Sequence, residues 1–189
     1  MIEYLYPTPI YCCLVNEFES IQQEISRCMN KVDFQMKDSF GTTHYLSPTS
    51  FKENIFDKYR LKSLSKEIDK HLRLYCDDLR FPSHDYEITS WFAKYKKGNY
   101  AHIHGHGHTD ISGVYYYKTN QKDGDLFFES PTPNLQTSKC YNKLGDSWDH
   151  TPIEGKLLLF PGWLRHGVRT NTTDNTRISI SFNIYFADK

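Results

Sequence analysis

Four histidines stand at alternate positions in the stretch Gly98 to Asp110: His102, His104, His106 and His108. The stretch runs straight into Ile111-Ser112-Gly113-Val114-Tyr115-Tyr116-Tyr117, an apolar run of strand type. Alternation puts the four imidazoles on one face of any extended segment. Neutral imidazole is the commonest side-chain metal ligand, so a metal site is the simplest chemistry such a face offers. A fifth histidine, His166, follows the buried-type run Leu157-Leu158-Leu159-Phe160-Pro161 and so sits near the end of another strand. Two strand ends can lie side by side in a small antiparallel barrel. His104, His106 and His166 could then take one face of a metal and leave the other open, as catalysis requires. A closed structural zinc site would use four ligands, usually with cysteine among them. Cys12, Cys13, Cys28, Cys76 and Cys140 form an odd set without a CxxC pair, which points to reduced structural thiols.

Arg177 adds a second chemical group. It opens a segment in which Arg177, Ser179, Ser181 and Asn183 alternate with Ile178, Ile180, Phe182 and Ile184. A buried guanidinium costs too much to leave unpaired, so Arg177 should meet a carboxylate, either the protein's or a ligand's.

The elements that must position these groups change character along the chain. The first half alternates short strands and helices. Ile10 to Val15 is a buried strand, Asn16 caps a helix running to about Lys31, and Leu64, Ile68, Leu72 and Cys76 stripe a helix from about Leu61 to Leu79. His71 falls among charges on that second helix and reads as solvated. From about residue 86 the texture is β. Strands are expected over Tyr86–Tyr95, Ile111–Lys118, about 125–129, Lys156–Phe160 and Arg177–Phe186, with a turn at Lys97-Gly98-Asn99. The polar face of the last strand could look to water or line a cavity. The helices available to cover its apolar face favour the cavity. Residues 130–153 read as a long loop with room for a short hairpin, of the kind that selects substrates.

Composition sets outer bounds. A chain of 189 residues suits one domain, with 1–85 as a helix-rich part and 86–189 as a barrel core. Fourteen tyrosines and 15% aromatic residues favour a β-rich fold. Lysine plus arginine equals aspartate plus glutamate at 23 each, so a nucleic-acid or anionic-membrane partner is not indicated. Lys94, Lys96 and Lys97 read as a solvated face. No segment has the length and apolarity of a membrane span or a secretory leader, which gives the expectation of a cytoplasmic protein.

The segments Gly98 to His106, Ser112-Gly113-Val114-Tyr115-Tyr116, Phe160-Pro161-Gly162-Trp163-Leu164-Arg165-His166 and Arg177-Ile178-Ser179-Ile180-Ser181-Phe182-Asn183 together resemble the 2-oxoglutarate- and Fe(II)-dependent oxygenases. They resemble in particular a branch with H-x-H, S-G-V-Y-Y, F-P-x-W-L-x-H and R-x-S-x-S-F-N patterns, and the likeness covers about the C-terminal half. It implies a mainly β double-stranded β-helix, a cupin-like jelly roll, with helices of the N-terminal half packed on one sheet. It also implies iron held by His104 and His166, with position 106 completing the set. Arg177, assisted by Ser179, would hold the distal carboxylate of 2-oxoglutarate. The implied reaction consumes dioxygen and 2-oxoglutarate, releases succinate and CO2, and hydroxylates an organic substrate.

The broader superfamily uses two histidines and one carboxylate, whereas this chain has His106 in the carboxylate position. Asp110 is the alternative anionic ligand. His102 and His108 are spare under this scheme, and Trp91 and Trp163 read as packing residues. Of the tyrosines, Tyr115 and Tyr117 face one way and Tyr116 the other, so one set could reach the cofactor. Two rival readings keep the barrel: a three-histidine cupin enzyme that does not use 2-oxoglutarate, and a non-catalytic metal-binding module.

Overall fold

Side chains on the two faces of the central strands pack into two separate apolar layers. The computed structural model describes residues 1, 7–39, 42–48, 54–81, 85–132, 139 and 147–187. In chain order the elements are β1 (Tyr11–Leu14), α1 (Phe18–Cys28) with a 3-10 turn at Met29–Lys31, β2 (Gln35–Ser39), β3 (Thr42–Leu46), α2 (Ile55–Lys58) and α3 (Lys62–Leu79). There follow β4 (Tyr86–Tyr95), β5 (Ala101–His104), β6 (Ile111–Lys118), β7 (Leu126–Glu129), β8 (Ser147–His150), β9 (Lys156–Pro161), β10 (His166–Val168) and β11 (Arg177–Phe186).

Two antiparallel sheets face each other as a jelly roll. The larger has the order β1-β9-β6-β11-β4-β3-β2 and the smaller β5-β10-β7-β8. On the outer face of the large sheet, Ile178, Ile180, Phe182 and Ile184 of β11 join Phe92, Tyr115, Leu157 and Leu159 in one cluster with the helices. The stripe Leu64, Ile68, Leu72 and Cys76 of α3 lies in that cluster at 2% exposure or less. Each such aliphatic side chain contributes about 1.5–3 kcal/mol by leaving water. The inner face carries a second cluster that includes Ala93, Val114, Tyr116, Leu158 and Phe160 from the large sheet and Leu126, Phe128 and Val168 from the small one. The polar residues of β11 therefore point between the sheets, as expected from the helical cover.

Gly113 shows how tightly the layers interlock. It pairs with Phe182 across β6 and β11, and a Cβ built on it would lie 2.2 Å from the Phe182 ring. Only a residue without a side chain lets that ring cross beneath the strand.

Two local expectations are corrected. Asn16 does not cap α1, whose N-cap is Glu17 without a side-chain cap bond; the Asn16 N–H instead donates to Glu67 Oε2 at 2.9 Å. His71 is not solvated. It is 6% exposed, with Nδ1 2.8 Å from the Tyr11 hydroxyl and Nε2 3.4 Å from Glu67 Oε2. In the region expected as a loop with a short hairpin, β8 pairs with β7, while residues 133–138 and 140–146, Cys140 included, lie outside the described residues. Cys12, Cys13, Cys28 and Cys76 are free thiols. No helix among the described residues is long and apolar enough to cross a membrane.

Candidate metal centre

β5 and β10 run antiparallel with His104 and His166 as direct Cα partners, so their side chains emerge on the same face. The chain leaves extended geometry after His104, and Gly107 takes a positive φ of 59° in the turn that follows. His106 is anchored there by its N–H to the Gly162 carbonyl at 3.1 Å, and its own carbonyl accepts from the Thr109 hydroxyl at 3.1 Å. This return brings the third ring beside the first two. The candidate ligand atoms of His104, His106 and His166 lie within 4.8 Å of one another, and ring centroids are separated by 4.6 to 5.2 Å.

Each ring has its Nδ1 committed. His104 Nδ1 lies 2.8 Å from the His102 carbonyl, and His166 Nδ1 lies 2.8 Å from the Leu164 carbonyl. His106 Nδ1 lies 2.5 Å from Asn183 Oδ1, which also accepts from the Ser112 hydroxyl at 2.9 Å. A carbonyl oxygen can only accept, so each Nδ1 carries a proton, and in the neutral ring Nε2 keeps its lone pair. That tautomer is the one a metal needs, and oxygen partners on the far nitrogen are what orient metal-binding histidines.

Burial disfavours the charged form at His106 and His166. Desolvation, reinforced by the neighbouring His104 and His106, pushes His166 down to about 3. Desolvation also lowers His106, although its bond to Asn183 works the other way. Phe160 meets the His166 ring edge-on at 4.9 Å, which closes the inner side. His104 is exposed, so the cluster is open on the opposite side.

The other members of the tract separate from these three. His108 is exposed in the turn, and His102 is exposed on β5 at the rim of the central cavity. Asp110 Oδ2 accepts from the Phe186 N–H at 2.8 Å and stands outside the cluster.

Arg177 is 1% exposed. Its Nη1 donates to the Gly124 carbonyl at 2.5 Å, and its guanidinium carbon lies 5.0 Å from the ring centroids of both Tyr95 and Tyr116. Gly124 has φ of 103°, and a Cβ on it would sit 2.3 Å from the Arg169 carbonyl oxygen, so the loop that aims this carbonyl requires glycine. Arg177 Nε and the buried Tyr116 hydroxyl have no partner, and no carboxylate among the described residues meets the guanidinium. A buried cation with unspent donors could hold an anion. Ser179, 2% exposed, stands two residues along the same face, and both line a cavity of about 430 Å³ that the three histidines also line.

Several residues of this site were not singled out in the sequence. Asn183 and Ser112 fix the His106 ring; their parity with Arg177 and with Tyr116 on their strands was the available signal. Tyr95 and Trp91 share the inner face of β4, so Trp91 lines the cavity 6.0 Å from the His106 ring and is not mere packing. Trp163 is 54% exposed and not a core residue. The β2–β3 hairpin, absent from the sequence reading, brings Lys37 and His44 to the cavity wall. Lys94 does not project freely, since its Nζ sits 3.9 Å over the Phe34 ring centroid and burial lowers its pKa.

A jelly roll in which three imidazoles converge and a buried, partly unpaired arginine lines the same cavity has the donor set for a metal and an anion. Residues 89–183, half of the chain, match the family model described as "Putative 2OG-Fe(II) oxygenase", and the chain belongs to that family. Its cofactors are accordingly Fe(II) and 2-oxoglutarate, and the protein is an oxygenase. No curated protein sequence matches the chain.

Solved structures share the fold at low identity. A prolyl-4-hydroxylase from Pseudomonas putida superposes with a TM-score of 0.66 at 14% identity, covering 96% of this chain and 94% of that one. A prolyl hydroxylase from Trichoplax adhaerens, in complex with a peptide fragment of the hypoxia inducible factor oxygen degradation domain, gives 0.63 at 17%, covering 93% and 83%. HygX from Streptomyces hygroscopicus, with nickel and 2-oxoglutarate bound, gives 0.62 at 11%, covering 94% and 82%.

Proposed function

We propose that His104, His106 and His166 hold the iron, that Arg177 and Ser179 hold the distal carboxylate of 2-oxoglutarate, and that the enzyme hydroxylates an organic substrate with dioxygen as cosubstrate. The observation that carries the reading is the pairing of three Nε2 lone pairs with an arginine whose buried Nε has no partner, both lining one cavity. When bound, iron and 2-oxoglutarate supply the oxidative decarboxylation that yields succinate, CO2 and a substrate hydroxyl. The chain's own residues bind, orient and exclude water. Asn183 and the Leu164 and His102 carbonyls hold the imidazoles in register. Tyr95 and Tyr116 sandwich the guanidinium, and the Tyr116 hydroxyl is a further donor for the carboxylate. Phe160 and Phe128 keep water from the inner face of His166.

A second reading, a three-histidine metal enzyme that does not use 2-oxoglutarate, is favoured by one observation, the imidazole at 106. Both are tested by anaerobic titration of the protein with Fe(II) and then 2-oxoglutarate, following the visible charge-transfer band. The band is expected to form and to vanish in Arg177→Ala while Fe(II) still binds. Metal binding without any 2-oxoglutarate binding would favour the second reading.

A further inference from the structure

The central cavity has a second cationic pole, opposite Arg177 in role. β2 and β3 pair with Lys37 directly across from His44, so the two side chains share a face, and both line the cavity with His102 at its rim. His44 is 8% exposed and stacks on Tyr95, with centroids 4.8 Å apart and planes at 5°. Its Nδ1 is buried and has no hydrogen-bond partner. Lys37 is exposed and no carboxylate among the described residues pairs with it. Among the described residues that line the cavity, Lys37 and Arg177 are charged and none is an aspartate or glutamate.

That balance matters because the three-imidazole set contributes no negative charge to the metal. On the reading above, a divalent metal and a dianionic 2-oxoglutarate cancel, and Lys37 and Arg177 remain as net positive charge. Cavity walls of one sign concentrate ligands of the other. We infer that the primary substrate carries a carboxylate, received by Lys37 on the cavity wall while its reacting carbon faces the metal. This rests on the reading of Arg177 as the 2-oxoglutarate residue, which leaves Lys37 for the substrate.

The test uses the full chain loaded with redox-inert Mn(II) and saturating 2-oxoglutarate. Small carboxylic acids and their isosteric primary amides, such as phenylacetate with phenylacetamide and N-acetylglycine with its amide, are added in turn. Mn(II)-induced broadening of each probe's proton resonances reports binding near the metal, and calorimetry reports 2-oxoglutarate affinity separately. Carboxylates are expected to bind about tenfold tighter than amides, as suits a charge-assisted contact. Lys37→Ala should remove that preference and Lys37→Glu reverse it, with 2-oxoglutarate affinity unchanged. Equal binding of acids and amides, binding of no carboxylate at all, a preference that survives Lys37→Glu, or displacement of 2-oxoglutarate by the acids would each overturn the inference. Failure of 2-oxoglutarate itself to bind before any probe is added would instead sink the underlying assignment of Arg177.

Discussion

His104 and His166 face each other as direct partners across the β5–β10 ladder, with ring centroids 4.6 Å apart, and each fixes its Nδ1 on a carbonyl two residues earlier in its own chain segment. The same local bond thus sets the same tautomer on both strands. His106 reaches the group by a turn and needs a tertiary partner, Asn183, to do likewise.

Metal affinity should divide the histidines sharply. Alanine at His104, His106 or His166 is expected to weaken Mn(II) or Fe(II) binding by about 100-fold or more, while His102→Ala and His108→Ala stay within about threefold. Calorimetry on each variant checks this. Full affinity in His106→Ala with loss in Asp110→Ala would contradict the three-imidazole set.

Asn183→Leu removes the acceptor that holds the His106 ring. A loss of about 10- to 100-fold in metal affinity is expected, the usual effect of deleting such a support. The His106 ring is then free to rotate, so the loss should come without a comparable change in 2-oxoglutarate affinity measured at saturating metal.

Arg177→Lys should recover little of what Arg177→Ala loses. On the proposed reading the carboxylate meets a planar fork set between Tyr95 and Tyr116, with Nη1 already given to Gly124 and Nε unpartnered, a geometry that a single ammonium cannot reproduce. We expect the 2-oxoglutarate Kd to rise by about tenfold or more in Arg177→Lys, with metal affinity unaltered. A Kd equal to that of the unsubstituted chain would argue against a bidentate contact.

The metal-free protein should lose stability in mild acid. His166 is held at about 3, and His44 at about 4, mainly by burial, against an ordinary value of 6.5. Between those values the unfolded chain binds more protons than the folded one, so stability falls as pH drops from about 6.5 towards 4. The slope is at most about 1.4 kcal/mol per pH unit for each such histidine. Thermal melts at pH 7 and pH 5 measure it, and His166→Gln should reduce the difference. Added Mn(II) should raise Tm at pH 7, since a ligand of the folded state stabilises it.

Gly113→Ala is expected to destabilise by about 1–3 kcal/mol, because the new Cβ would overlap the Phe182 ring that crosses beneath it. Chemical denaturation reads the cost. A partial rescue by pairing it with Phe182→Leu would attribute the loss to that contact.

Local regularities were legible from residue order, and they carried most of the fold. The bounds of β4, β6 and β11 follow from alternation and turn residues, α3 from its apolar stripe, and the inward polar face of β11 from parity alone. The triplet His104, His106 and His166 and the pair Arg177 and Ser179 were also available, as pattern and as family likeness. What residue order could not supply is convergence. Whether His106 or Asp110 joins the other two depends on a turn pinned by Gly162 and Asn183, residues 56 and 77 positions away, and no local preference encodes such contacts. His71, apparently solvated, is buried because β1 lays Tyr11 against it, and Lys37 and His44 gain meaning only when a hairpin of weak strand signal closes over the cavity. The four alternating imidazoles were thus fixed by sequence as a possibility. Tertiary structure decided which of them meet, because periodicity is a property of one segment and a site is a property of several.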